Sequence, residues 1–232
     1  MPNKLLAGFL IVIANLAHSH PGGLDKQGGH TDRTTDQYHC HREPCLTLHR
    51  QQQQAEQEAR QQQRAFSSLY ERSDWPHWLD EDGDCQDTRA EILIATSQVP
   101  VTFTRDDRCT VARGRWHDPY SGETFTAAGD LDIDHLVPLR HAHGHGGDGW
   151  DERHRRQFAN DPGNLLPVSA SANRSKGAGS PDQWLPENRD YWCQYGQHWQ
   201  QIKQRYRLLI TPPEQQAIDR LLSTCQAAER LP

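Results

Sequence analysis

Asp132-Ile133-Asp134-His135-Leu136-Val137-Pro138-Leu139 is the stretch on which the fold turns. Leu131 to Val137 reads as a strand that Pro138 closes, with an acid and an imidazole side by side at its end. Downstream, Asn164 to Val168 reads as a second strand. Ser169 to Lys176 then reads as a short helix, capped by Ser169 and stopped by Gly177. On such a helix Asn173 and Lys176 lie three apart and share a face. Asp132 stands one strand step from Asp134 on the same side, either as an acid behind a site or as a solvated residue. Arg174 reads as a phosphate contact or as an ordinary surface arginine.

These residue types suit one chemistry. A carboxylate (Asp134) and an amide carbonyl (Asn173) form a hard oxygen pair of the kind that Mg²⁺ takes while keeping several waters. A neutral His135 beside them can deprotonate a water, and the ammonium of Lys176 can steady phosphate charge. Together they describe metal-assisted hydrolysis of a phosphodiester.

The pattern Asp-x-Asp-His-x-x-Pro-Leu, then Asn-Leu, then Asn-x-x-Lys nine residues after that Asn resembles the HNH nucleases and their ββα-metal fold. The resemblance extends to exported bacterial members through Trp78 to Arg89 (Trp-x-Asp-x-Asp-Gly-Asp-Cys-Gln-Asp-Thr-Arg) and through Trp184-Leu185-Pro186, and covers roughly residues 70–226. It implies His135 as general base, Asp134 and Asn173 as metal ligands, and Asn164 as the residue holding the strand–loop geometry by backbone hydrogen bonds. Lys176 would contact the scissile phosphate or the leaving oxygen. The implied cofactor is a divalent cation, Mg²⁺ first and Mn²⁺ second, and the implied substrate is DNA, with RNA left open. One departure is the gap of 29 residues from His135 to Asn164, which holds His141, His143, His145 and a helical stretch Asp151 to Asn160. The three histidines read either as metal ligands or as part of a flexible polar insertion.

Working outward, Thr88 to Ser97 reads as a helix ended by Pro100, followed by short strands at Val101–Thr104, Thr110–His117 and Thr124–Thr126. Glu187 to Leu209 and Pro213 to Ala227 read as two closing helices, the second with Thr211 as N-cap. The expected class is α+β: a ββα-metal core with added helices and short strands. Asp80-Glu81-Asp82-Gly83-Asp84 looks like the start of an EF-hand loop, but Cys85 stands where its glycine belongs. The alternative is a helix N-terminal acid cluster bound to Arg89.

The start of the chain reads as a signal peptide over 1–19: Lys4, an apolar run from Leu5 to Ala17, and Ala17-His18-Ser19 as the cleavage site. A run of thirteen residues falls short of the ~20 that span a bilayer, so export with no membrane attachment after cleavage is expected, to the periplasm or the medium. Residues 20–45 form a His/Cys-rich segment, 46–72 a Gln-rich helical linker, and 73–232 the nuclease domain. Six cysteines suit disulfides in an oxidising compartment. Their neighbourhoods suggest Cys40–Cys45, Cys85–Cys109 and Cys193–Cys225. A zinc site in the first segment would need Cys40 free as a thiolate beside the histidines.

The formal charge of −6 excludes a protein that coats nucleic acid through a basic surface. Between Asp132 and Lys176 the acids and bases balance at six each, so the segment carrying the motif is less acidic than the whole. The competing expectation is an exported metal-binding or surface-interaction protein, with a functional His-rich head and an inactive HNH-like body. Sequence preference and oligomeric state leave no mark.

Overall fold

The computed structural model describes residue 24 and residues 28–31, 38–61 and 70–228. The segment 1–19 read as a signal lies outside them. The chain divides into two compact units, residues 1–49 and 50–232. In the first, β1 (Gly29–Thr31) and β2 (Tyr38–Cys40) pair antiparallel, and Cys40 is joined to Cys45. That bond removes the thiolate which a zinc site there required. The helix α1 (Cys45–Gln61) begins in the first unit and ends in the second.

The second unit opens with α2 (Thr88–Thr96), N-capped by Asp87, whose Oδ1 accepts from the Ala90 amide at 2.9 Å. Three strands follow, β3 (Thr102–Phe103), β4 (Val111–His117) and β5 (Thr124–Ala127), forming an antiparallel sheet in that order. Then come β6 (Leu131–His135), α3 (Leu139–Gly144), α4 (Glu152–Ala159), β7 (Leu165–Ser169) and α5 (Ala170–Lys176). Strands β6 and β7 pair antiparallel without a slip, from Leu131 opposite Ser169 to His135 opposite Leu165. The long insertion therefore leaves the ladder intact, and α5 lies against both strands. Gly177 ends α5 at φ +53°, a conformation that costs a residue with a Cβ far more.

The chain closes with α6 (Trp192–Arg205) and α7 (Pro212–Ala228), joined by Cys193–Cys225. The start of α6 corrects the expectation of a helix from Glu187. Asn188 is drawn away from helix by tertiary bonds: its amide donates to the Tyr120 carbonyl at 2.9 Å, and its Nδ2 to that of Pro119 at 3.1 Å. At the other end Arg207 takes φ +52° and stops the helix short of Leu209.

Two apolar clusters hold this unit. One gathers Trp75, Phe158, Tyr195 and Trp199 around the start of α3, and the other gathers Leu93, Trp116, Leu131 and Ile133 between α2 and the sheets. The Trp116 indole donates to the Leu93 carbonyl at 2.8 Å, so this buried N–H is satisfied. The architecture is mixed α+β with small antiparallel sheets.

The insertion also corrects a second expectation. His141, His143 and His145 do not lie in a flexible loop: the first two are on α3, the third caps it, and all three are buried. The helix carries Leu139 and Ala142 into the core and takes the imidazoles with it.

Candidate active site

Strand β6 alternates. Leu131 and Ile133 enter the core while Asp132 and Asp134 take the other face, towards α5. Asp134 is 5% exposed, and its Oδ2 accepts from Lys176 Nζ at 2.7 Å and from the Tyr120 hydroxyl at 2.7 Å. Lys176 Nζ also donates to the His135 carbonyl at 2.8 Å. Burial pushes the Asp134 carboxyl up and the Lys176 ammonium down, while their mutual attraction opposes both shifts. Asn173 donates to Asp132 Oδ2 at 3.0 Å, so the amide is bonded to the outer acid and not to Asp134. Arg174 is exposed.

His135 ends the strand on the side of α4. Its Nε2 lies 2.8 Å from the Ala159 carbonyl, which can only accept, so the proton sits on Nε2 and Nδ1 carries the lone pair. Nδ1 has no hydrogen-bond partner among the described residues. Burial drives the imidazole down to about 3, with Arg72 and Lys176 adding to the shift, so the ring is neutral throughout the physiological range. Trp78 covers it at 5.7 Å between ring centres.

Beyond β6 the ladder is continued by a side chain. The Leu136 amide donates to the Asn164 carbonyl at 2.8 Å. The Val137 amide donates to Asn164 Oδ1 at 2.8 Å, and Asn164 Nδ2 returns a bond to the Val137 carbonyl at 3.1 Å. The fully buried amide thus acts as one more peptide group, fixing how the chain leaves the strand.

Several contributors were not singled out by sequence. Tyr120 lies in a segment that reads only as a turn, yet its buried hydroxyl meets Asp134. Asp118 anchors that turn, accepting from the amides of Tyr120 at 2.8 Å and Ser169 at 3.0 Å. Asn160 ties the end of α4, and with it the Ala159 carbonyl, to the Pro76–Leu79 segment that bears Trp78. Runs of turn-forming residues give no sign of such long-range partners.

The donor set fits a hard cation. Oδ1 of Asp134, Oδ1 of Asp132 and Oδ1 of Asn173 carry no hydrogen bond among the described residues, which leaves three oxygens on one side of β6 and α5. The acidic loop Asp80–Asp84 is exposed; its carboxylates accept from the amides of Gly83, Cys85 and Gln86, and Asp80, Asp82 and Asp84 lie close enough together that they could hold a metal ion. Arg89 does not join that loop, contrary to expectation; it donates to the carbonyls of Ala128 and Leu131 at the entry to β6. Separately, buried His141, His145 and Glu214 could hold a metal ion.

An acid–imidazole strand end, clamped by an asparagine and backed by a helix-borne lysine on an α+β frame, defines a protein of the HNH-like class. The chain belongs to the family of GmrSD restriction endonucleases, C-terminal domain, which matches residues 87–218. It is also 37% identical over 158 residues to an uncharacterized secreted protein of Arthroderma benhamiae, a match covering 67% of this chain and 76% of that one. No solved structure matches it.

The chain is an exported protein. Its three disulfides suit an oxidising compartment, the Arthroderma relative is secreted, and no helix among the described residues is long and apolar enough to cross a membrane.

Proposed function

We propose that this protein is an exported metal-dependent endonuclease that hydrolyses phosphodiester bonds of DNA, with RNA as the second substrate class, and that the region from residue 73 onward carries the activity. The observation that carries the reading is the state of His135: neutral, its Nε2–H held by the Ala159 carbonyl, its Nδ1 lone pair without a hydrogen-bond partner among the described residues. That is the state a general base requires before it meets a water. Asp134, Asn173 and Asp132 would hold a divalent cation, Mg²⁺ or Mn²⁺. Such an ion supplies positive charge at the phosphate and at the departing oxygen.

The chain's own residues do the remainder. His135 takes the proton of the attacking water at Nδ1, and the Ala159 carbonyl steadies the imidazolium through Nε2–H. Asn164 keeps the strand end, and so the imidazole, in register. Lys176 is fully buried with Nζ bound to Asp134 and to the His135 carbonyl. It therefore acts through Asp134, aiming its carboxylate, and adds a fixed positive charge near the phosphate rather than touching it.

Plasmid nicking tests the reading. The purified protein should nick with Mg²⁺ or Mn²⁺, stop in chelator and resume on readdition. His135→Ala should lose at least about 100-fold in rate, the usual worth of a positioned base, with an unchanged circular dichroism spectrum. Cleavage at the wild-type rate by that variant would end the proposal.

A further inference from the structure

A second cluster of side chains that could hold a metal ion lies in the second unit, on elements that the proposed active site does not use. Helix α3 presents His141 and His145 four residues apart, their rings stacked with centres 3.6 Å apart. His145 Nδ1 lies 2.6 Å from the His141 carbonyl and must be the protonated nitrogen, which leaves the Nε2 lone pair free. His141 Nε2 accepts from Lys203 Nζ at 2.9 Å, so its lone pair faces that ammonium. Glu214, from the first turn of α7, completes the set. Its Oε1 lies 3.4 Å from His141 Nε2 and its Oε2 3.8 Å from His145 Nε2. These separations approach the roughly 3.3–3.5 Å between ligand atoms on a tetrahedral zinc ion with bonds near 2.0–2.1 Å.

The carboxylate is held for the task. The Trp199 indole donates to Oε1 at 2.6 Å and the Thr211 amide to Oε2 at 3.1 Å, the outer hydrogen bonds that orient ligands in metal sites. A cation already stands among these donors. Lys203 is completely buried, and its ammonium lies 2.9 Å from His141 Nε2 and 2.9 Å from Glu214 Oε1. Two of the three donors, His141 and Glu214, thus already face one positive centre. A cavity of about 450 Å³ reaches the cluster and is lined by His141, His145 and Thr211, with Asp182 in its wall as a further oxygen.

We propose that His141, His145 and Glu214 form a second metal site, selective for a zinc-class transition ion over Mg²⁺, in which Lys203 competes with the ion for His141 and Glu214. Two imidazoles and one carboxylate are a borderline-soft set that Mg²⁺ does not favour. The ion enters through the cavity, and water or Asp182 takes the remaining position. The inference stands on its own and does not depend on nuclease activity.

Zn²⁺ and Co²⁺ titration of the full, disulfide-bonded chain tests it, with metal analysis after dialysis and the Co²⁺ visible spectrum as readouts. One ion per chain with a tetrahedral Co²⁺ spectrum is expected, lost in His145→Ala and unaffected by excess Mg²⁺. Lys203→Met, which removes the competing charge, should bind at least tenfold more tightly and gain thermal stability on adding Zn²⁺. If Lys203→Met folds only with Zn²⁺ present, that supports the site equally. Binding that survives in His145→Ala assigns the ion to other histidines and overturns the proposal, as does the absence of binding in both the wild type and Lys203→Met. Mg²⁺-dependent nicking measured on His145→Ala reports on the other site, so the two readings can fail separately.

Discussion

Asn164 spends both ends of its amide on the backbone of one residue, Val137, inside a region closed to water. Asn164→Ala therefore strands a buried N–H and a buried carbonyl together, at roughly 1–3 kcal/mol for each group. The expected result is a midpoint shift of that size in urea and a loss of nicking out of proportion to the fraction unfolded. A variant with full stability would show that the clamp is dispensable. The role of this residue came from the resemblance to the HNH nucleases, and its side-chain amide is a group that can imitate a peptide at the end of a strand. The partner of Asp134 was not readable in the sequence. Tyr120 is fourteen residues from it in a Pro-Tyr-Ser-Gly turn, and no local pattern shows that this hydroxyl is buried against a carboxylate.

At the level of elements, the antiparallel pair β6–β7 and the helix α5 are joined by one buried ion pair, Asp134–Lys176. Such pairs gain little over apolar packing but are costly to break on one side. Lys176→Met should cost about 3–5 kcal/mol by leaving Asp134 charged and unpaired. The double variant Asp134→Leu/Lys176→Met should recover most of that stability while remaining inactive in nicking. Thermal melts and nicking on the three proteins decide the matter, and a single variant as stable as the double would show that the pair is not what joins these elements. The strands and α5 were legible because alternation, the Ser169 cap and the Gly177 stop all agree over a short span. Helix α3 was not, since Gly144, Gly146, Gly147 and Gly149 signal a loop. Burial of Leu139 and Ala142 outweighs that local preference, and the histidines follow into the interior.

Across the whole molecule, the interior stores imidazoles in the neutral state, and this has a consequence for stability. Burial lowers His135 and His141 to about 3 and His145 to about 4, against about 6.5 in an unfolded chain. As pH falls below 6.5 the unfolded chain takes up protons that the folded one refuses, so stability present above that pH is lost on the way down towards 4. Glu214 acts in the same sense further down, held to about 2 by the neighbouring His141 and Lys203 against the cost of burial. Asp134, raised by burial, works the other way but is a single group against three histidines. A series of melts should therefore show a steady decline in Tm from pH 6.5 to pH 4.5, in a protein whose disulfides are untouched by the change. The decline should be shallower in His141→Gln, where one of the neutral imidazoles is gone. A Tm that stays level to pH 4.5 would mean that these rings are protonated in the folded state.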